Sequence, residues 1–432
     1  MNSAKLRASL LVPLILIISL FFLWGMANHL NDILITQFKK IFTLSDFRSS
    51  LVQMAFYFGY FVFAIPAAIY MKRFGYKSGV VLGLLLYGAG AFLFYPAAQV
   101  KEYYLFLTAL FVIASGLAFL ETSANPLIIA MGDPETAARR LNFAQSFNPL
   151  GALAGILIGR EFILSGIEHS EEELAALSAI EITTLYEMEI QAVQGPYLLL
   201  GALVLVWALL VFLTRFPTIA QQAATSDESG NWQDFKKLLQ HKLFLFGVIA
   251  QFFYVGAQVC VFSFIIRYGQ EALPKTGEKT LATYVFFALV AFMVGRFVAT
   301  ALMSKVKASR LMAIFAYISM SLCLVAFLLP NMLGMFAFAS ISFFMSLMFP
   351  TIFALSMKGL GPLSKVGSSL LVMAIVGGAV LTALMGFISD LSSIHHAVVV
   401  PFFCFGVIAW FARRCHQRDR LEINNNRGCF CD

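Results

Sequence analysis

Two carboxylates and a set of amides stand where an apolar chain should hold neither. Asp32 falls in the first of a series of long uncharged runs. Trp24, Asn28 and Asp32 recur there at a spacing of four, which puts them on one helical face, with Asn31 and His29 beside them. Glu121 falls in the fourth run, with Asn125 one turn further along the same face. A charge at mid-membrane costs at least about 2.5 to 3.5 kcal/mol on insertion scales, so each carboxylate needs a reason to be there. Removal from water favours the neutral form of a carboxyl group, and Asp32 and Glu121 are therefore candidate proton carriers. Other readings stand beside this one. Asp32 is also placed to be a hydrated helix end, and Glu121 to be a buried structural hydrogen-bonding group. Asp32, Asn28 and Asn31 together form an oxygen-rich group of the kind that suits a hard cation such as sodium. His29 is either a modulator of proton release or a bland neighbour, since an unperturbed imidazole titrates at about 6.5.

The fifth run adds Asn142, Gln145 and Asn148, and the seventh adds Gln251, Tyr254 and Gln258, each set spaced so as to fall roughly on one stripe of a helix. Amides offer donors and acceptors together, which is what the hydroxyls of a sugar need. Any one of them can instead join helices, because interhelical polar bonds are common in membranes. A stripe in each half of the chain favours a binding role, and Trp24 is placed to stack on a sugar ring. Arg296, in a Gly-Arg-Phe stretch of the eighth run, reads as a gating or packing residue and a possible modulator rather than a ligand. Arg267 and Glu271, spaced by four, read as an ordinary ion pair.

The elements that must carry these groups follow from composition. The chain has 432 residues, 60% hydrophobic and 12% charged, with a mean hydropathy of +0.83. A soluble domain carries about a quarter charged residues, so lipid is the expected solvent. A crossing helix needs about 20 apolar residues, and runs of that length fall at 8–36, 48–71, 77–98, 103–131, 140–165, 196–214, 243–269, 280–303, 310–329, 333–357, 366–389 and 395–413. They are continuous rather than alternating, which argues for helices over barrel strands. The first run is too long for a cleaved leader and is read as retained. The expectation is an all-α membrane protein of twelve transmembrane helices in two pseudo-symmetric six-helix bundles.

Most Lys and Arg residues fall on one side if both termini are cytoplasmic, which sets the expected orientation and explains the net charge of +7 without nucleic-acid binding. Residues 215–242 form a linker between an N-terminal bundle, 1–214, and a C-terminal bundle, 243–414; a cytoplasmic tail follows at 415–432. An acidic segment at about 166–195 reads as a solvated cap on the outer side, with a short surface helix opening at Ser170. The halves echo each other: Pro126 answers Pro350, and Gly151 answers Gly377. Weak symmetry of this kind marks parallel repeats in secondary transporters, whose substrate sits near the midplane. The six cysteines are scattered and imply no disulfide framework, and a tail Cys429-x-Cys431 is a weak metal candidate. No Walker sequence points to ATP and no nucleophile-base pairing to an enzyme, so neither a cofactor nor a resident metal is expected. An exporter of the same fold and a non-transporting sensor remain rival readings.

At these residues the chain resembles the fucose permease branch of the major facilitator superfamily, the fucose, glucose and galactose transporters. The resemblance runs through WGMANHLNDIL at Trp24, SSLVQMAFYFGYF at Ser49, LETSANP at Leu120, RLNFAQSFNPLG at Arg140, QFFYVGAQ at Gln251, VGRF at Val294, FPTIFALSMKGLG at Phe349 and GSSLLVM at Gly367. It implies alternating access and proton-coupled uptake of a monosaccharide across the bacterial inner membrane by a monomer in the lipid bilayer. Asp32 and Glu121 take the positions of the family's essential carboxylates, and Asn142, Gln145 and Asn148 match its polar fifth helix. Glu121 and the acidic outer segment point to the fucose side of the family. His29, Met348 and Phe349 depart from the residues that fucose permeases share, which leaves the sugar open between L-fucose and a related hexose.

Overall fold

The computed structural model describes residues 11–28, 30, 46–158, 162, 179–216 and 232–428, and every element among them is helical. The chain order is α1 (Leu11–Asn28), α2 (Asp46–Phe92), α3 (Phe94–Val100), α4 (Tyr103–Ala130), α5 (Ala137–Gln145), α6 (Phe147–Ile158), α7 (Ala179–Leu213) and α8 (Trp232–Gln240). It continues with α9 (Lys242–Ala272), α10 (Glu278–Leu302), α11 (Ala308–Leu328), α12 (Met332–Met345), α13 (Met348–Met357), α14 (Ser364–Met373), α15 (Gly377–Leu391), α16 (Ile394–Ala397) and α17 (Val399–Gly428).

Ten of the described stretches are long and apolar enough to cross a membrane. One of them, Ala55–Val100, has 46 residues, enough for two crossings. Gly75 divides it: φ is 84° and ψ 168°, a conformation that glycine adopts without the Cβ clash other residues would meet. The pair α5–α6, outside that set, occupies the place of the fifth expected run, which brings the described helices into line with the twelve expected.

Local chemistry sets where helices stop and bend. Pro149 and Pro350 each lack an N–H, and the helices are broken just before them, between Gln145 and Phe147 and between Met345 and Met348. Pro126 lies within α4 without ending it. The sixth helix differs from its expected bounds, because α7 begins at Ala179 inside the acidic segment. Glu187 there pairs with Lys101 at 2.5 Å. Helix α17 continues through the basic tail to Gly428, and Asp419 bonds Lys358 Nζ at 3.1 Å and the Ser309 hydroxyl at 3.0 Å. Of the linker, residues 232–240 form α8 and residues 217–231 lie outside the described part.

The described chain divides into two compact units, Met1–Ala124 with Phe147–Thr225, and Asn125–Ser146 with Ser226–Asp432. Each contains very close helix pairs made possible by glycine. In the first unit a Cβ on Gly151 would lie 1.9 Å from the Phe22 carbonyl oxygen, and one on Gly25 would lie 2.0 Å from that of Asn148. In the second unit a Cβ on Gly377 would lie 2.1 Å from the Phe252 carbonyl oxygen. The echo between Gly151 and Gly377 thus has the same physical content in both units: each lets one helix backbone rest on another, as small residues do in membrane interfaces.

Candidate functional site

In the first unit, Trp24 on α1 donates its indole N–H to the Tyr60 hydroxyl on α2 at 2.9 Å. The indole is buried and stacked on Phe21, with ring centroids 5.5 Å apart. Its freedom to stack on a ligand is therefore smaller than the sequence implies. Tyr60 is buried as well and leans on Phe56. Glu121 on α4 is 4% exposed. It acts electrostatically on Tyr60. Asn28 and Asn148 are half-buried, and the Asn28 Oδ1 has no hydrogen-bond partner among the described residues. Asp32, Asn31 and His29 lie outside the described residues.

In the second unit the polar groups form a tighter arrangement. Gln145 on α5 donates through Nε2 to Asn125 Oδ1 at 2.9 Å. Asn142 donates through Nδ2 to the Thr351 hydroxyl on α13 at 3.0 Å and to the Ala138 carbonyl at 2.8 Å. Thr351 in turn donates to the Leu347 carbonyl at 2.6 Å. Gln251 and Tyr254 on α9 are 0% exposed. Gln258, on the same helix, is half-buried.

What these groups leave unused matters most. Asn125 Nδ2, Asn142 Oδ1, both polar atoms of Gln251 and the Tyr254 hydroxyl are buried without a hydrogen-bond partner among the described residues. A buried polar group left unpaired costs about 1 to 3 kcal/mol, and most native proteins carry few. Several on neighbouring helices of one unit, mixing donors and acceptors, are what an occupant rich in hydroxyls would satisfy.

Arg296 on α10 is 3% exposed. It donates from Nε to the Ser346 carbonyl at 2.7 Å and from Nη1 to the Gln145 carbonyl at 2.8 Å, and its guanidinium lies 4.6 Å from the centre of the Phe292 ring. Tyr254 is close enough to interact with it electrostatically. The expected pair of Arg267 and Glu271 is not formed. Glu271 accepts from the Ile394 amide N–H at 3.0 Å and contacts His395 Nδ1, while Arg267 lies over Phe264. The start of α16 offers Glu271 a backbone donor, while Arg267 is exposed.

Among the described residues no group of three His, Cys, Asp or Glu side chains is placed to hold a metal ion. Cys260, Cys323, Cys404 and Cys415 are free and buried. Sequence reading missed two groups: Tyr60, the acceptor for Trp24, and Thr351, the acceptor for Asn142. Both are hydroxyls in apolar runs, and Thr351 directly follows Pro350, which was the available signal.

Fold and site together define a multi-pass helical membrane protein with buried, unsatisfied polar clusters. The chain belongs to the major facilitator superfamily, whose family model matches residues 14–370. It is 42% identical over 408 residues to the L-fucose-proton symporter of Escherichia coli (strain K12), covering 94% of this chain and 93% of that one. It is 36% identical to the glucose/galactose transporter of Brucella abortus biovar 1 (strain 9-941), covering 91% of each. Among solved structures it resembles the crystal structure of a major facilitator superfamily transporter, FucP, in the outward conformation. The TM-score is 0.88 at 42% identity, over 94% of this chain and 99% of that one.

Proposed function

We propose that this protein is a proton-coupled symporter of a monosaccharide, L-fucose or a closely related hexose, working by alternating access between an N-terminal and a C-terminal six-helix bundle. It would sit in the bacterial inner membrane as a monomer with both termini cytoplasmic. The observation that carries the reading is the set of unpartnered buried atoms on Asn125, Asn142, Gln251 and Tyr254, with a buried carboxyl at Glu121. Sugar hydroxyls can donate and accept at once, so one ring meets both kinds of vacancy.

In this mechanism a proton neutralises Asp32 or Glu121, which lowers the cost of closing a cavity around it. The hydroxyls of the sugar then bind the amides, and Trp24, Asn28, Asn31, Asn148 and Gln258 complete the contacts. Transport is electrogenic, with one charge worth about 2.3 kcal/mol per 100 mV. Its relative in Escherichia coli is an L-fucose-proton symporter, which supports the choice of sugar and ion.

The test is medium alkalinisation in cells expressing the protein, on adding a panel of hexoses and deoxyhexoses in sodium-free buffer. L-Fucose should raise external pH; a response that requires sodium would overturn proton coupling. The second reading, transport of glucose or galactose, draws on the Brucella relative and on Met348 and Phe349, and the same panel separates it. Asp32→Asn should abolish accumulation against a gradient, and accumulation at the wild-type level would remove Asp32 from the mechanism.

A further inference from the structure

Arg296 is a buried cation with no carboxylate partner among the described residues, in a region where an uncompensated charge costs several kcal/mol. A neutral sugar offers it no opposite charge. The backbone explains why it is there. A proline has no N–H, so the carbonyl four residues before it loses its helical donor. For Pro149 that carbonyl belongs to Gln145, and for Pro350 it belongs to Ser346. These are the two carbonyls that Arg296 reaches, through Nη1 at 2.8 Å and Nε at 2.7 Å. Both prolines therefore leave orphan acceptors in a medium without water to fill them, where each would cost several kcal/mol.

We propose that Arg296 is a positioning residue: its one guanidinium stands in for the two N–H groups that Pro149 and Pro350 cannot supply, and thereby holds Gln145 and Thr351 where the amide cluster needs them. The consequence follows from what borders each carbonyl. Gln145 carries the side chain bonded to Asn125, and Thr351, next to Pro350, accepts from Asn142. Releasing the guanidinium would loosen both helix breaks together and misalign the amides they carry. Arg suits this role because its planar fork presents several donors in fixed directions; a Lys ammonium on a flexible stem cannot span both carbonyls in the same way. The inference deepens the proposed sugar site and rests on that reading for its transport consequence.

The test uses the full-length protein reconstituted in liposomes, with sugar counterflow giving KM and Vmax and thermal unfolding read separately in detergent. Arg296→Lys, which keeps the charge, should raise KM for L-fucose at least tenfold; a wild-type KM would overturn the proposal, since charge alone would then suffice. Arg296→Met should behave like the Lys variant. In a Pro149→Ala/Pro350→Ala background the new amides can serve both carbonyls, and Arg296→Met should there change KM and the unfolding temperature much less than in the wild-type background. An equal penalty in both backgrounds would overturn it. Should the double alanine background fail to fold, the Lys variant alone decides. The unfolding arm does not involve sugar. A rescue seen there, with no effect of Asn142→Ala or Gln145→Ala on KM, would sustain Arg296 as the backbone bracket and sink the sugar site instead.

Discussion

The side-chain amide of Asn142 donates to the Thr351 hydroxyl at 3.0 Å across 209 residues of sequence, while its own Oδ1 has no partner among the described residues. One half of the amide is thus fixed by the protein, and the other half is the part the proposed sugar would meet. Thr351→Val keeps the shape and removes the acceptor. Losing one such bond is worth about 0.5 to 1.5 kcal/mol, so KM for sugar should rise about 2- to 12-fold with little change in Vmax. Counterflow kinetics provide the check.

Glu121→Gln fixes the neutral form of the carboxyl group permanently. If loading requires protonation, the wild-type protein should take up sugar faster as external pH falls, and the Gln variant should lose that dependence. Counterflow, which needs no proton gradient, should persist in the variant while accumulation is lost. A pH profile of uptake identical to wild type would exclude Glu121 from coupling.

Tyr60→Phe preserves the ring but leaves the Trp24 indole N–H unpaired in a buried position. The loss should destabilise the protein by about 1 to 3 kcal/mol, visible as a lower unfolding temperature. The tryptophan emission should shift as well, because the environment of one of only four indoles changes.

Gly151→Ala and Gly377→Ala should behave alike. Each added methyl would meet a carbonyl oxygen at 1.9 Å or 2.1 Å and must push two helices apart. Overpacking of this kind typically costs about 1 to 3 kcal/mol, and both variants should show reduced unfolding temperature and reduced yield of folded protein. Gly195→Ala, where nothing lies within 4 Å, is the control and should unfold like the wild type.

Lipid as solvent makes much of this fold legible from sequence, because backbone polar groups must be satisfied inside the protein, most of them within their own helix. The long apolar runs became helices for that reason, and the polar residues inside them, Glu121, Asn142, Gln145, Gln251 and Tyr254, stood out against a uniform background. Bounds were less legible where polar helix continued past the apolar part, as at Ala179 and along α17, since helical hydrogen bonding does not stop where hydrophobicity does. Partners were not legible at all. Spacing put Asn142 and Gln145 on one stripe, yet only tertiary packing determined that one binds Thr351 and the other Asn125. The same holds for Arg296. Its position in an apolar run announced an exception, and the prolines announced two missing donors, but that one guanidinium answers both depends on three helices meeting at hydrogen-bond distance, and such distances are fixed by packing across the chain rather than by order along it.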